Sequence, residues 1–166
     1  MKIILIAYLC LITLIGILIN VAVWLHPIDI HCVYKSAIRS TLFTAFLTMG
    51  SFMLSLMSMF MFSLKDKLFD DNEYKKLYIA KEKIVGKIDS IYSPLINISR
   101  LFLFCVMMCF MTSLSQFTVG LIDNCIASIF CLSISLATII LALYVLYNVW
   151  RNLEVWFCIL LKDKAK

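Results

Sequence analysis

The sequence predicts an all-α integral membrane protein with four transmembrane helices. Hydrophobic residues make up 63% of the 166 residues and charged residues only 15%, whereas soluble domains are about a quarter charged. Four runs contain no Lys, Arg, Asp or Glu, and they cover residues 3–25, 41–64, 101–122 and 124–150. About 20 apolar residues in a helix cross the hydrocarbon core, and a charge at its centre costs about 2.5–3.5 kcal/mol. Each run is therefore long enough to span a bilayer.

The first helix is predicted over residues 3–25. This run is longer than the apolar core of a signal peptide, which is about 7–15 residues, and no Ala-x-Ala-like site follows it. We therefore expect it to be retained as a membrane helix. His26 and Pro27 should end it, because proline lacks the backbone N–H that a helix interior uses. Residues 26–40 are predicted to form a short external loop.

The second helix, predicted over residues 40–64, carries the most regular polar pattern in the chain. Its hydroxyl residues recur at intervals of three and four, and they are Thr41, Thr44, Thr48, Ser51, Ser55 and Ser58. A period near 3.5 residues keeps such side chains on one face. Two interpretations are open. Small residues let membrane helices pack closely, or the face lines a water-filled pore between copies, although no ring of charges forms an ion filter. We expect a helix-packing seam used in oligomer assembly.

The third and fourth helices are predicted over residues 94–120 and 124–150. Pro94 suits a first helical turn, where a missing N–H matters least. The link between these helices is so short that they should form an antiparallel hairpin, with Asp123 at the external surface near the start of the fourth helix. The packing seam continues on that helix with Ser128, Cys131, Ser135 and Thr138.

Residues 65–93 form the one substantial segment between the apolar runs, and their pattern predicts an amphipathic helix. Leu77, Ile84 and Ile88 belong to its apolar stripe, and the other face carries Lys75, Lys76 and Lys83. Such a helix can lie on lipid, pack beneath the bundle or dock a partner. We expect these six residues to bind a partner protein.

The chain is predicted to be a single domain, residues 1–166, that ends in a tail over residues 151–166. A fourth helix that continued to Leu161 would have 38 residues and measure about 57 Å at 1.5 Å per residue. It would then have to protrude from the membrane or bend. The three lysines of the tail would face anionic headgroups or a cytosolic partner.

Orientation follows from the distribution of the 15 Lys and Arg residues. Thirteen of them fall on the side that holds both termini and residues 65–93, and only Lys35 and Arg39 fall on the other. Cytoplasmic loops carry the excess of Lys and Arg. Both termini should thus be cytoplasmic in a multi-pass protein of the cell inner membrane. The net charge of +5 reflects this topology, and no direct contact with nucleic acid is expected.

No catalytic, cofactor-binding or metal-binding motif is visible. The seven cysteines include no Cys-x-x-Cys pair, which the four-helix thiol oxidases of the disulfide-forming pathway carry. His26, Asp29, His31 and Cys32 lie close in sequence, but zinc sites hold a better-defined ligand set. We expect an ordinary polar turn there, and a protein that is not an enzyme and has no cofactor.

Small size, four helices, cytoplasmic termini and the absence of catalytic residues together resemble the membrane subunits of Kiwa-type bacterial antiphage systems, the KwaA family. The resemblance covers the organisation of the whole chain and involves no sequence motif. It implies a homo-oligomeric inner-membrane sensor that works in antiviral defence with a cytosolic DNA-binding partner of the KwaB kind. Two other classes stay open: a small oligomeric pore, such as a holin-like depolarising effector, and an accessory subunit of a larger membrane complex.

Overall fold

The computed structural model describes residues 2–25, 30–64 and 93–164, with side chains described over 3–25, 31–63, 93 and 95–154. Within these ranges, four helices are long and apolar enough to cross a membrane: Ile3–Leu25, His31–Ser63, Leu95–Leu121 and Cys125–Glu154. The predicted all-α class with four candidate spans is therefore confirmed.

The helices follow one another with few interruptions in the described parts of the chain. They are α1 (Lys2–Leu25), α2 (Ile30–Val33), a π-helical segment (Tyr34–Ile38), α3 (Arg39–Leu64), α4 (Ser93–Phe117), a 3-10 turn (Val119–Leu121) and α5 (Cys125–Lys164).

The external loop predicted over residues 26–40 is wrong from Ile30 onward, because the chain is helical from there into α3. No Gly or Pro follows Pro27 before Gly50, so nothing in this stretch breaks a helix. The Arg39 N–H donates to the Tyr34 carbonyl five residues back, which makes this turn π-helical. The charged residues Lys35 and Arg39 had suggested a loop in this stretch. Their side chains instead contact the turn between α4 and α5.

The centre of the fold is formed by α4 and α5. In an apolar 18-residue window of each candidate span, the buried share is 50% for α5 and 33% for α4, against 17% for His31–Ser63 and 11% for α1. α3 packs against α4, and α1 packs against α5. Tyr8 of α1 also contacts Phe104 of α4, and the two rings pack edge to face with 6.3 Å between their centroids.

Close packing joins α3 to α4 along one face of each helix. A Cβ on Gly50 would lie 3.2 Å from the Cys109 Cβ, and the Phe43 and Phe117 rings are 5.8 Å apart. Phe46 and Met53 are buried on the same side of α3. Many large apolar side chains on the outer faces are exposed, Phe52 and Phe62 among them. Lipid tails are as apolar as leucine, so such a surface suits a bilayer.

A tight turn connects α4 to α5. The Thr118 N–H donates to the Leu114 carbonyl at 2.9 Å, and the Ile126 N–H donates to the Asn124 side-chain oxygen at 3.0 Å. Asn124 thus caps α5, as asparagine often does at a helix start. From there α5 continues for 40 residues, through the predicted helix end at Trp150 and into the predicted tail.

Candidate functional site

The hydroxyl face of α3 is exposed in the chain. Thr44, Thr48, Ser51, Ser55 and Ser58 all lie on the side of the helix that no other described helix covers. Each hydroxyl donates to a backbone carbonyl of its own helix, as Ser51 does to Leu47 at 2.9 Å and Ser58 to Leu54 at 3.1 Å. The side chains that attach α3 to α4 lie on the opposite face. Within the described residues, the seam of α3 packs against no other helix of the chain, and its use between copies stays a prediction.

The matching positions of α5 are buried inside the chain. Ser128, Cys131, Ser135 and Thr138 each have at most 2% of their surface exposed. Cys131 donates to the Ser115 carbonyl of α4, with 3.6 Å between sulfur and oxygen. Small residues with the same spacing therefore lie at the contact between α5 and α4, whereas in α3 they lie on a face that no other described helix covers.

Gln116 is the centre of one buried hydrogen-bond group. Its amide nitrogen donates to the Cys131 carbonyl at 3.0 Å and to the Ser135 hydroxyl at 2.9 Å. The amide oxygen accepts from the Tyr34 hydroxyl at 2.5 Å. Gln116 and Tyr34 are almost wholly buried, so each bond replaces one that water would supply. This group joins the π-helical segment, α4 and α5.

Thr138 is the centre of a second buried group. The Tyr8 hydroxyl lies 2.8 Å from its oxygen, the Thr112 hydroxyl lies 2.7 Å away, and Thr138 itself donates to the Ile134 carbonyl at 2.7 Å. A hydroxyl has one donor and two acceptor positions, so Tyr8 and Thr112 both donate to it. Within the described residues, no buried side-chain nitrogen or oxygen lacks a partner.

A third polar group, which we call the clamp, consists of His31, Lys35, Asp123 and Ser128. The His31 Nε2–H donates to Asp123 Oδ1 at 2.7 Å, and the Lys35 ammonium lies 2.9 Å from the same oxygen. The other imidazole nitrogen, Nδ1, is 2.8 Å from the Ser128 hydroxyl. Hydrogen bonds from Lys35 and then from His31 lower the pKa of the Asp123 carboxyl. The clamp holds α2 and the π-helical segment against the turn before α5.

Two further contacts fix the π-helical segment to the same turn. Arg39 donates to the Gly120 carbonyl at 3.3 Å. The Tyr34 hydroxyl would lie 2.5 Å from a Cβ on Gly120, so only glycine leaves room for it. π-helical turns are frequent at functional sites, and here the turn aligns His31, Tyr34 and Lys35 with their partners.

The clamp contains the hydrogen-bonded order Ser128, His31, Asp123, which nucleophilic hydrolases also use. Ser128 has only 1% of its surface exposed, so no substrate reaches its hydroxyl in this arrangement. Among the residues whose placement is described, no group of three or more His, Cys, Asp or Glu is arranged to hold a metal ion. The geometry fits a joint between helices.

The predicted partner-binding residues lie outside the described part of the chain. They are Lys75, Lys76, Leu77, Lys83, Ile84 and Ile88. His26 and Asp29 of the external turn also lie outside it, as do the side chains of α5 beyond Glu154.

Sequence reasoning missed the pairing of His31 and Lys35 with Asp123. It placed the two cationic residues in a loop and treated Asp123 as a helix-start charge. His31, Lys35 and Arg39 recur at intervals of four, which is the spacing of one helix face. That spacing would have indicated a helix with three polar side chains directed at one neighbour. The partners of Tyr8 and Tyr34 had no comparable signal, because each depends on a distant helix.

No family model, curated protein or solved structure matches the chain.

Proposed function

We propose that this protein is a non-enzymatic sensor or scaffold subunit of the inner membrane, which assembles with copies of itself and recruits a cytosolic protein. The four helices would form an antiparallel bundle with both termini in the cytoplasm. The setting would be antiphage defence of the Kiwa type, with a DNA-binding protein as the recruited partner. The observation that carries the proposal is the uncovered hydroxyl face of α3, which extends from Thr41 to Ser58.

Lipid offers no hydrophobic driving force between helices, so association depends on close backbone approach and van der Waals contact. Small side chains on α3 permit that approach along most of its length. The hydroxyls already bond to their own helix, so a second copy can cover them without leaving donors unpaired. Association through this face therefore requires little polar rearrangement.

Assembly can be tested with Ser51→Leu and Ser55→Leu. Both side chains are exposed in the chain, so we expect the protomer to fold while its oligomer dissociates, because leucine separates the helices. Size-exclusion chromatography with light scattering in mild detergent measures this. Phe52→Leu alters a neighbouring exposed position and should leave the oligomer intact.

Oligomers that survive both leucine substitutions would contradict assembly through this face. The exposed hydroxyls also fit the alternative of a water-filled pore between copies. A Ser55→Cys thiol that reacts with a small hydrophilic reagent, together with ion flux in liposomes, would favour that pore over a packing seam.

Recruitment is assigned to residues 65–93 by their amphipathic pattern. Leu77→Glu combined with Ile84→Glu should abolish co-purification with the cytosolic partner and leave membrane insertion unchanged, because both residues lie outside the four charge-free runs of the sequence. Reversing the charge of Lys75, Lys76 and Lys83 should weaken recruitment less, since exposed charges are screened within about 8 Å at physiological salt. Full recovery of the partner with the double Glu variant would exclude this segment as the contact.

A further inference from the structure

An imidazole and an ammonium group share one carboxylate oxygen in the clamp. Asp123 Oδ1 is 2.7 Å from His31 Nε2 and 2.9 Å from Lys35 Nζ. The Asp123 side chain is 73% exposed and that of Lys35 is 41% exposed, whereas that of His31 is only 24% exposed. His31 is therefore held inside the joint, and Lys35 reaches the carboxylate from solvent.

Histidine is the side chain that ordinarily changes charge between pH 5 and 8. Among the residues that the structure describes, the charged groups that face His31 are Lys35 of the adjoining π-helical segment and Asp123 of the turn. α5 presents the uncharged Ser128 hydroxyl to it. Arg39 is engaged one turn further along, at the Gly120 carbonyl. When the imidazole is neutral, Lys35 is the one full positive charge on the Asp123 carboxylate within the described part of the chain.

Both charge states of His31 can keep their hydrogen bonds. In the neutral ring, Nε2–H donates to Asp123 and Nδ1 accepts from the Ser128 hydroxyl. In the protonated ring, Nδ1–H donates to Ser128, whose hydroxyl turns to the Asn124 carbonyl at 3.4 Å. The clamp therefore tolerates a proton without breaking, and the added positive charge acts on Lys35.

We propose that the clamp exchanges cations when a proton binds: His31 becomes the ionic partner of Asp123, and Lys35 is released. A protonated His31 shares Asp123 Oδ1 with a second positive charge, and the repulsion between the two cations favours release of the more exposed one, Lys35. Ser128 holds the imidazole in place, and the long Lys35 side chain is readily hydrated. The exchange alters the position of Lys35 far more than the stability of the fold. The exchange does not depend on the proposed function. If the protein is a membrane sensor, the exchange would make a change in pH on the side of the membrane that holds the clamp the stimulus.

The test follows Lys35 by NMR in the full-length protein in detergent. Reductive methylation with ¹³C-formaldehyde labels lysines and keeps their positive charge, and Lys35→Arg assigns the Lys35 resonance. We expect this resonance to shift in one step as the imidazole takes up a proton, with no step in His31→Gln, whose amide has a similar size and does not protonate. His31→Gln is thereby also the control for any direct effect of pH on the labelled amine.

A flat Lys35 resonance in the wild-type protein would overturn the exchange, as would a step that persists in His31→Gln. Asp123→Asn gives a second variant, which alters an exposed side chain and leaves the buried core untouched. It should also abolish the step, because Lys35 then has no carboxylate to leave. A step of full size in Asp123→Asn would show that Lys35 responds to the imidazole charge alone, which is incompatible with the exchange.

Discussion

Single atoms decide how the π-helical segment meets the turn before α5. A methyl group on Gly120 would lie 2.5 Å from the Tyr34 hydroxyl and 3.3 Å from Arg39 Cδ. The Tyr34 hydroxyl is also held by Gln116, so it cannot simply move aside. Gly120→Ala should therefore destabilise the protein by about 1–3 kcal/mol, as overpacking usually does, measured by unfolding in detergent. Gly16→Ala is the control, because its methyl would be 3.4 Å from Ser133 Oγ, an ordinary contact.

A double-mutant cycle separates this clash from a general loss of stability. Tyr34→Phe removes the oxygen that the new methyl would meet, although it also leaves Gln116 short of a donor. Gly120→Ala should then destabilise the Tyr34→Phe protein less than the wild type. Additive losses in the two substitutions would mean that the alanine acts elsewhere in the turn.

The helices show how far residue spacing can be interpreted. The three-and-four spacing of small residues is the same in α3 and α5, and it marks one face of each helix correctly. Spacing does not identify what covers that face. The side of α3 that faces α4 is the opposite one, which carries Phe46, Gly50 and Met53. In α5, by contrast, the small residues themselves make the contact: Ser135 and Thr138 bond to Gln116 and Thr112 of α4. The choice depends on residues of a second helix, which a pattern within one helix cannot contain.

The two faces of α3 predict opposite responses to the same substitution. Phe46 is 2% exposed and belongs to the core, whereas Phe52 is 63% exposed. Phe46→Ala should destabilise the fold by about 3–5 kcal/mol, which is usual for a buried phenylalanine. Phe52→Ala should have little effect on the folded protomer, since lipid or detergent replaces the lost contacts. Equal losses of stability in the two variants would show that α3 packs differently.

At the scale of the whole molecule, the four candidate spans were predictable because charge is so costly in a bilayer. Charge also misled the prediction over residues 30–40, where His31, Lys35 and Arg39 suggested a loop. Those side chains contact Asp123, Ser128 and Gly120, which are about 80 to 100 residues later in the sequence. Only the folded chain brings these partners together, so no local pattern could show that the helix continues.

The Lys and Arg distribution predicts the orientation of the whole protein. Single cysteines at positions 36, 83 and 166 in a cysteine-free protein should report it, with only position 36 labelled from outside intact cells. Ser36 is exposed beside the clamp, so it gives a suitable external reporter. Labelling of position 83 or 166 from outside would reverse the proposed topology.

The length of α5 has a mechanical consequence. This one helix continues without a break from Cys125 to Lys164, and Thr138 is gripped from two sides by Tyr8 and Thr112. Packing continues beyond Thr138, because Val145 and Val149 are buried and Leu153 packs against the same core. The stretch from Leu153 to Lys164 then forms an arm about 17 Å long at 1.5 Å per residue, and tilting it by about 10° would move its end by roughly 3 Å. A change in how the bundle packs around Leu153 would in this way be carried along the helix to the end of α5.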